Sequence, residues 1–341
     1  MNRKPWIWAS LAAVLLLVVA YSVCWWIVAR QLDAGIDNWQ AAQWQAGLTV
    51  DYDRTPVGGF PFAFRATFHH THMAGAVDGQ HVDWQGPDVE ATISPFDLYG
   101  IGLSAPGHHA LDFGQGPATL DATALRVALR INGAGLLSSA ATDFTGATVA
   151  LPDGRTFGAT AGSASLIGAP QPPKSDRDPL LDFAFSGRDL RLPPGTVLLT
   201  GDPLTTLAFA GTVKGPMPLA PLRTALGAWR DQGGSVDLHG FALAQGPLSI
   251  DGRATIALEP DLQPIVAADL KVRGLAPAID LLQSQGRIAP NDALKFKLFV
   301  KGAERNTPAG GKEVATGITL QGGYLSWGPF RLAKVPPIEW P

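Results

Sequence analysis

From Pro5 to Val28 the chain is an almost unbroken apolar run, and no charged side chain occurs between Lys4 and Arg30. At about 1.5 Å of helical rise per residue, such a run is long enough to cross a bilayer core of roughly 30 Å. Trp6 and Trp8 stand near one end and Trp25 and Trp26 near the other. Tryptophan favours both membrane–water interfaces, so this placement predicts a spanning helix over residues 1–29. A cleaved signal peptide is the competing reading. Its apolar core of roughly 7–15 residues would be about half as long. Lipoprotein processing before Cys24 would require a small residue where Val23 stands. An uncleaved anchor is therefore expected. Arg3 and Lys4 precede the run, whereas Arg30 is soon joined by Asp33 and Asp37, which favours a cytoplasmic N-terminus and an exported body.

After the run, Leu32, Ile36, Trp39 and Gln43 recur at spacings of three and four. This predicts a stalk helix over 30–46, stopped by Gly47. It either packs on the outer domain or lies along the membrane surface. From residue 47 the period becomes two. Phe62, Phe64, Ala66 and Phe68 alternate with Ala63, Arg65, Thr67 and His69. The same alternation returns at Leu125–Ile131, Leu181–Phe185, Leu248–Leu258 and Leu294–Val300. These segments read as antiparallel strands with one apolar and one wet face.

A Gly-Pro pair recurs at Gln85-Gly86-Pro87, Gln115-Gly116-Pro117, Gln245-Gly246-Pro247 and Trp327-Gly328-Pro329, each an expected hairpin tip. Short helices are expected over 219–232 and 276–285, covering an open edge or end of a sheet. The Pro-rich, charged segment Gly168–Pro179 is an expected exposed loop, and residues 47–341 form one β-rich domain or two lobes split near 170–180. Thr307–Lys312 is a second expected flexible tip. The predicted fold class is therefore mainly β: curved antiparallel sheets, as an open groove or a sandwich, with a few short helices after one transmembrane helix.

Composition narrows the chemistry. The net charge is −3 and no basic block follows the anchor, which speaks against a nucleic-acid partner. Cys24 is the only cysteine, so there is no intrachain disulfide and no cysteine-based metal site. His69, His70, His72 and His81, with His108-His109 further on, form the one cluster worth testing. If the strand continues, His70 and His72 share the Phe62/Phe64 face and are the metal candidates. Solvated strand-end histidines are the plainer reading. Gly158–Gly168 lacks the Lys-Ser or Lys-Thr of a phosphate loop, and Ser163 lacks the flanks of a nucleophile elbow. No catalytic set and no cofactor are expected. The aromatic stripe Phe60, Phe62, Phe64 and Phe68 is either the core of a closed sandwich or one wall of an apolar groove that takes acyl chains.

The segment Gly58-Gly59-Phe60-Pro61-Phe62, followed by Phe64-Arg65, resembles the N-terminal signature of bacterial domain-of-unknown-function family 2125. So do Leu238-His239-Gly240-Phe241-Ala242-Leu243, Gly246-Pro247-Leu248-Ser249-Ile250-Asp251-Gly252, Leu262-Gln263-Pro264, Val272-Arg273-Gly274, and the end Ile318–Leu325 with Gly328-Pro329. The resemblance implies an envelope protein anchored in the bacterial inner membrane by a single pass, with most of the chain periplasmic. It brings no known activity or site residues. More loosely, the strand–turn–strand runs with interposed helices are similar to AsmA/TamB-like proteins, whose β-groove is associated with lipid traffic. Architecture alone does not carry function. The leading expectation is a non-enzymatic protein that binds or passes membrane lipid along an apolar β-groove. An envelope scaffold that holds another envelope protein through sheet edges is the alternative. A histidine-dependent hydrolase is the third reading.

Overall fold

The computed structural model describes residues 5–77, 80–193, 203–306, 311–327 and 330–340. Arg3, Lys4, Asp78, most of the 307–312 tip and the Gly328-Pro329 pair lie outside the described residues. Among the described residues there are four helices and nineteen strands, and the chain divides into two compact units. The first comprises residues 1–137 and 149–154, and the second comprises residues 138–148 and 155–341. The two units divide within residues 137–155.

In the first unit a single helix, α1 (Pro5–Gln45), joins the apolar run to the expected stalk. It is long and apolar enough to cross a membrane. Gly47, at φ +86°, turns the chain into β1 (Leu48–Arg54), which returns along α1 and pairs with β2 (Phe64–Val77). The C-terminal half of α1 packs on this hairpin as a docked stalk. Gln40 donates to the carbonyl of Val50 at 2.7 Å, the Val57 amide donates to Asp33, and Arg54 reaches both Asp33 and Asp37.

β2 is too long for one neighbour. Its start pairs with β4 (Val89–Ser94) and its end with β3 (Gln80–Gln85). The cause is local: the register slips between Asp51 and Asp53, and His70 takes φ +52°. A bulge of this kind bends and twists its strand, so the two halves of β2 present different edges. From β4 the sheet continues through β5 (Asp97–Ser104) to β8 (Ala124–Ile131). From β3 it continues through β6 (Gly107–Asp112) to β7 (Pro117–Ala122). Gln85-Gly86-Pro87 is consequently not a hairpin tip. It carries the chain across β2, with the Gly86 amide on the Thr71 carbonyl and the Thr71 hydroxyl on the Pro87 carbonyl. Gln115-Gly116-Pro117 is a hairpin tip, between β6 and β7.

β9 (Leu137–Ala150) carries residues of both units and pairs with β10 (Thr156–Gly168). In the second unit β10, β11 (Pro179–Leu190), β12 (Leu204–Lys214), β13 (Ser235–Gln245), β14 (Leu248–Leu258) and β15 (Pro264–Arg273) form an antiparallel meander. Gln245-Gly246-Pro247 is the β13–β14 tip, and residues 169–178 connect β10 to β11. Helix α2 (Leu222–Asp231) lies between β12 and β13. Helices α3 (Leu275–Ser284) and α4 (Pro290–Ala303) and the short β16 (Arg305–Asn306) follow β15. β17 (Lys312–Gln321) then pairs with β15, and β18 (Tyr324–Trp327) and β19 (Phe330–Lys334) complete the ladder.

The expected strand at Leu294–Val300 is thus a helix. Pro290 opens it, where its missing amide costs nothing, and Asp292 sits in the first turn beside the positive helix end. Ala, Leu and Lys are strong helix formers, and the segment has no β-branched residue before Val300. Ala293 and Val300, two turns apart, are the buried positions, while Leu294, Phe296 and Leu298 are exposed.

Candidate functional site

Alternation along each strand of the second unit sends one set of side chains to each face, and the register aligns these sets across strands. Phe185 stands opposite Phe209, which stands opposite Phe241. Leu207, Leu243, Ile250 and Val272 form the next row, and Val213, Val236, Ile256 and Val266 form a row on the other side. Phe185 stacks on Phe209 at 5.2 Å between centroids, and Phe183 meets Phe209 edge-on at 6.2 Å. Gly211 makes this possible, because a Cβ there would strike the Phe183 ring and the Asp237 carbonyl.

This apolar face is not filled as a core. Phe183, Phe185, Phe209 and Phe241 are all half-buried, and Phe64 of the first unit is the only buried phenylalanine among the described residues. Helices pack at the two ends of the meander. At one end Ile279, Ala293 and Val300 pack on Val314, and Ala278 packs with Leu248 and Val272. At the other end, where β12 passes into β13, buried Trp229 of α2 donates its indole N–H to the Lys214 carbonyl at 2.7 Å.

The opposite face is a ladder of paired charges. Asp237 accepts from Lys214 Nζ at 2.6 Å and from the Thr255 hydroxyl at 3.0 Å. The Lys214 contact above all holds its carboxyl below the usual range, against a smaller upward push from burial. Arg253 pairs with Asp269 at 3.2 Å, and Arg273 with Asp251. An open cleft of about 530 Å³ is lined by Asp237, His239, Arg253, Thr255 and Asp269, among others. Its charged groups are engaged with one another across strands, as cross-strand pairs that stabilise a sheet are.

The stripe Phe60, Phe62, Phe64 and Phe68 does not form one wall. Phe64 starts β2 and is buried beneath α1, stacked on Trp25 at 5.0 Å. Phe68 packs edge-on against Tyr52 at 5.0 Å. Phe60 and Phe62 precede the strand and are exposed. Phe60 still touches the helix, edge-on to Trp25 at 5.5 Å.

The histidines are dispersed. His70 is the bulge residue and does not share the Phe64 face with His72 as simple alternation predicted. Four of the histidines take separate carboxylates: His69 with Asp88, His70 with Asp53, His72 with Asp83 and His108 with Asp121. His109 instead accepts from the Trp84 indole and bonds the Ala105 carbonyl. Among the described residues no three His, Cys, Asp or Glu side chains converge on a point where a metal ion could sit. Sequence reasoning missed the meander phenylalanines Phe209 and Phe241 as neighbours of Phe185. Their signal is register, which only the β12 and β13 pairings reveal.

No curated protein and no solved structure matches the chain, so neither comparison links it to AsmA/TamB-like proteins. A bacterial family described as an uncharacterized protein conserved in bacteria matches residues 25–336, which takes in the C-terminal part of α1 and almost all of both units. The chain belongs to domain-of-unknown-function family 2125.

Proposed function

We propose that this is a non-enzymatic cell-envelope protein that binds or passes membrane lipid along the apolar face of its second unit. On this reading α1 crosses the bacterial inner membrane once, with a cytoplasmic N-terminus, and both units are periplasmic. The observation that carries the proposal is the half-buried row Phe185, Phe209 and Phe241, set in a face whose middle is not buried as a core, on a meander with helices packed at its two ends. A sheet with such a face gains from any apolar occupant, and an acyl chain supplies about 0.8 kcal/mol per buried methylene. The wet face, with its charges already paired, offers no comparable gain.

The test is site-specific photocrosslinking of the full chain in bacterial membranes whose lipid phosphate is radiolabelled. A photoreactive side chain at position 209 or 241 is expected to capture labelled phospholipid, and one at position 255 on the wet face is not. Equal, background labelling at all three positions would sink the proposal. A protein adduct at 209 and 241 in place of lipid would instead favour the scaffold reading.

A further inference from the structure

The end of the first unit's sheet nearest the apolar run carries a group of exposed hydrophobic side chains. The register fixes which end this is. Phe64, at the start of β2, stands opposite Ile93, which stands opposite Ile101, which stands opposite Leu129. The connection before β2, the β4–β5 turn and the loop after β8 therefore emerge at one end of the sheet. Phe60 and Phe62 lie on the first, Phe96 and Tyr99 on or beside the second, and Leu136 and Leu137 on the third. All six are exposed, Phe62 and Phe96 at 77% and 78%. Arg130 bonds Asp97 at 2.7 Å, which ties the second loop to the third.

That end is also fixed in height along α1. The Tyr21 hydroxyl donates to the Pro61 carbonyl, and Trp25 packs between Phe60 and Phe64. Both anchoring residues belong to the apolar run. Tyr21 lies about 6 Å deeper along the helix than Trp25. Trp25 and Trp26 mark the interface by residue type, and Arg30 lies over the Trp26 ring at 3.8 Å as the first charge beyond it. β1 runs back along α1 toward the apolar run, so the chain is delivered to this level twice.

We propose that the rim formed by the 58–62, 95–99 and 132–137 loops inserts into the headgroup–acyl boundary of the membrane that α1 crosses. The inference rests on the reading of α1 as a spanning helix. It assigns the rim to a bilayer surface because α1 itself holds the rim at the depth where its own tryptophans meet the interface. Aromatic and leucine side chains are the residues that interfacial elements bury there. The first unit would then be seated on the membrane by three loops as well as tethered by a helix.

The experiment uses the full chain with Cys24→Ala, reconstituted into phosphatidylcholine–phosphatidylglycerol vesicles. Single cysteines replace Phe62, Phe96, Leu136, Leu16 or Phe113 and carry an environment-sensitive fluorophore. Phe113 is exposed too, but it lies on the β6–β7 turn at the other end of the sheet. Labels at 62, 96 and 136 are expected to shift to the blue and to be quenched by lipid bearing a nitroxide near the top of its acyl chain. The label at 113 is expected to stay aqueous. Aqueous labels at 62, 96 and 136 beside a lipid-quenched label at 16 would overturn the rim and leave the anchor standing. An aqueous label at 16 would overturn both.

Discussion

The two units solve one problem in opposite ways. Each builds an antiparallel sheet with an apolar face, and such a face cannot stand bare in water, since each large side chain is worth about 1.5–3 kcal/mol on burial. The first unit covers its face with its own N-terminal helix: Trp25, Ala29 and Phe64 are buried together, with Val57 and Ile93 packed around them. The second unit spends its helices on the ends, where Trp229 and the Ile279–Val314 cluster are buried, and leaves four phenylalanines in the middle half-buried. A helix laid along a face makes a core, whereas helices placed at its ends leave its middle half-buried. The difference can be tested by truncating one aromatic in each unit.

Trp25→Ala should have the largest effect. It removes a buried ring that stacks on Phe64 and meets Phe60, at an expected cost of about 3–5 kcal/mol. Phe209→Ala, in a half-buried row, should cost roughly 1–2 kcal/mol. Urea titration of the full chain in detergent micelles, followed by protease protection of each unit, measures both. Equal costs would mean that Phe209 lies in a closed core and that the contrast between the units is wrong.

Arg54→Ala should fall between these two. Arg54 joins α1 to β1 through Asp33 and Asp37. Burial alone would lower the guanidinium pKa, but the two carboxylates together outweigh it and raise the value. Losing these charge-assisted bonds is expected to cost about 1.5–3 kcal/mol. Amide exchange should accelerate in β1 and in residues 30–45, while β12–β14 stay protected. Uniform acceleration across the chain would contradict a contact confined to the first unit.

The contrast was only partly legible in the sequence. The long apolar helix, its continuation to residue 45 and most strands follow from periodicity, because Pro5–Val28 and the alternations at Leu125–Ile131 and Leu248–Leu258 are long enough to choose one period. The strand expected at Leu294–Val300 fails because alternating apolar residues in a short run fit either element and the decisive signal, Pro290 with Asp292, lies upstream. Alternation over Phe62–His69 cannot show that the chain enters β2 only at Phe64, which leaves Phe60 and Phe62 before the strand. A bulge has no periodic signature, so alternation alone puts His70 and His72 on one face. The phenylalanine row was least legible of all. Phe185, Phe209 and Phe241 lie far apart in sequence, and their adjacency exists only in the register of three strands.

The smallest predicted effect sharpens the comparison from the wet side of the second unit. Asp237 has its pKa lowered in the folded state by Lys214 first and by Thr255 as well, with burial opposing. A depressed carboxylate stabilises the fold above its unfolded pKa, near 3.9, and that contribution is lost as pH falls through the lower folded value. The pair is largely solvated, so the stabilisation is expected to stay below about 1 kcal/mol after screening. Asp237→Asn should therefore lower the midpoint of the second unit slightly at neutral pH and leave it unchanged in strong acid, where the wild-type carboxyl is also neutral. Added salt should shrink the difference further. A large, salt-insensitive loss would mean that Asp237 is held in a dry environment, so that the charged face is the enclosed one and the phenylalanine face the solvated one. That would reverse the assignment of the two faces on which the lipid proposal depends.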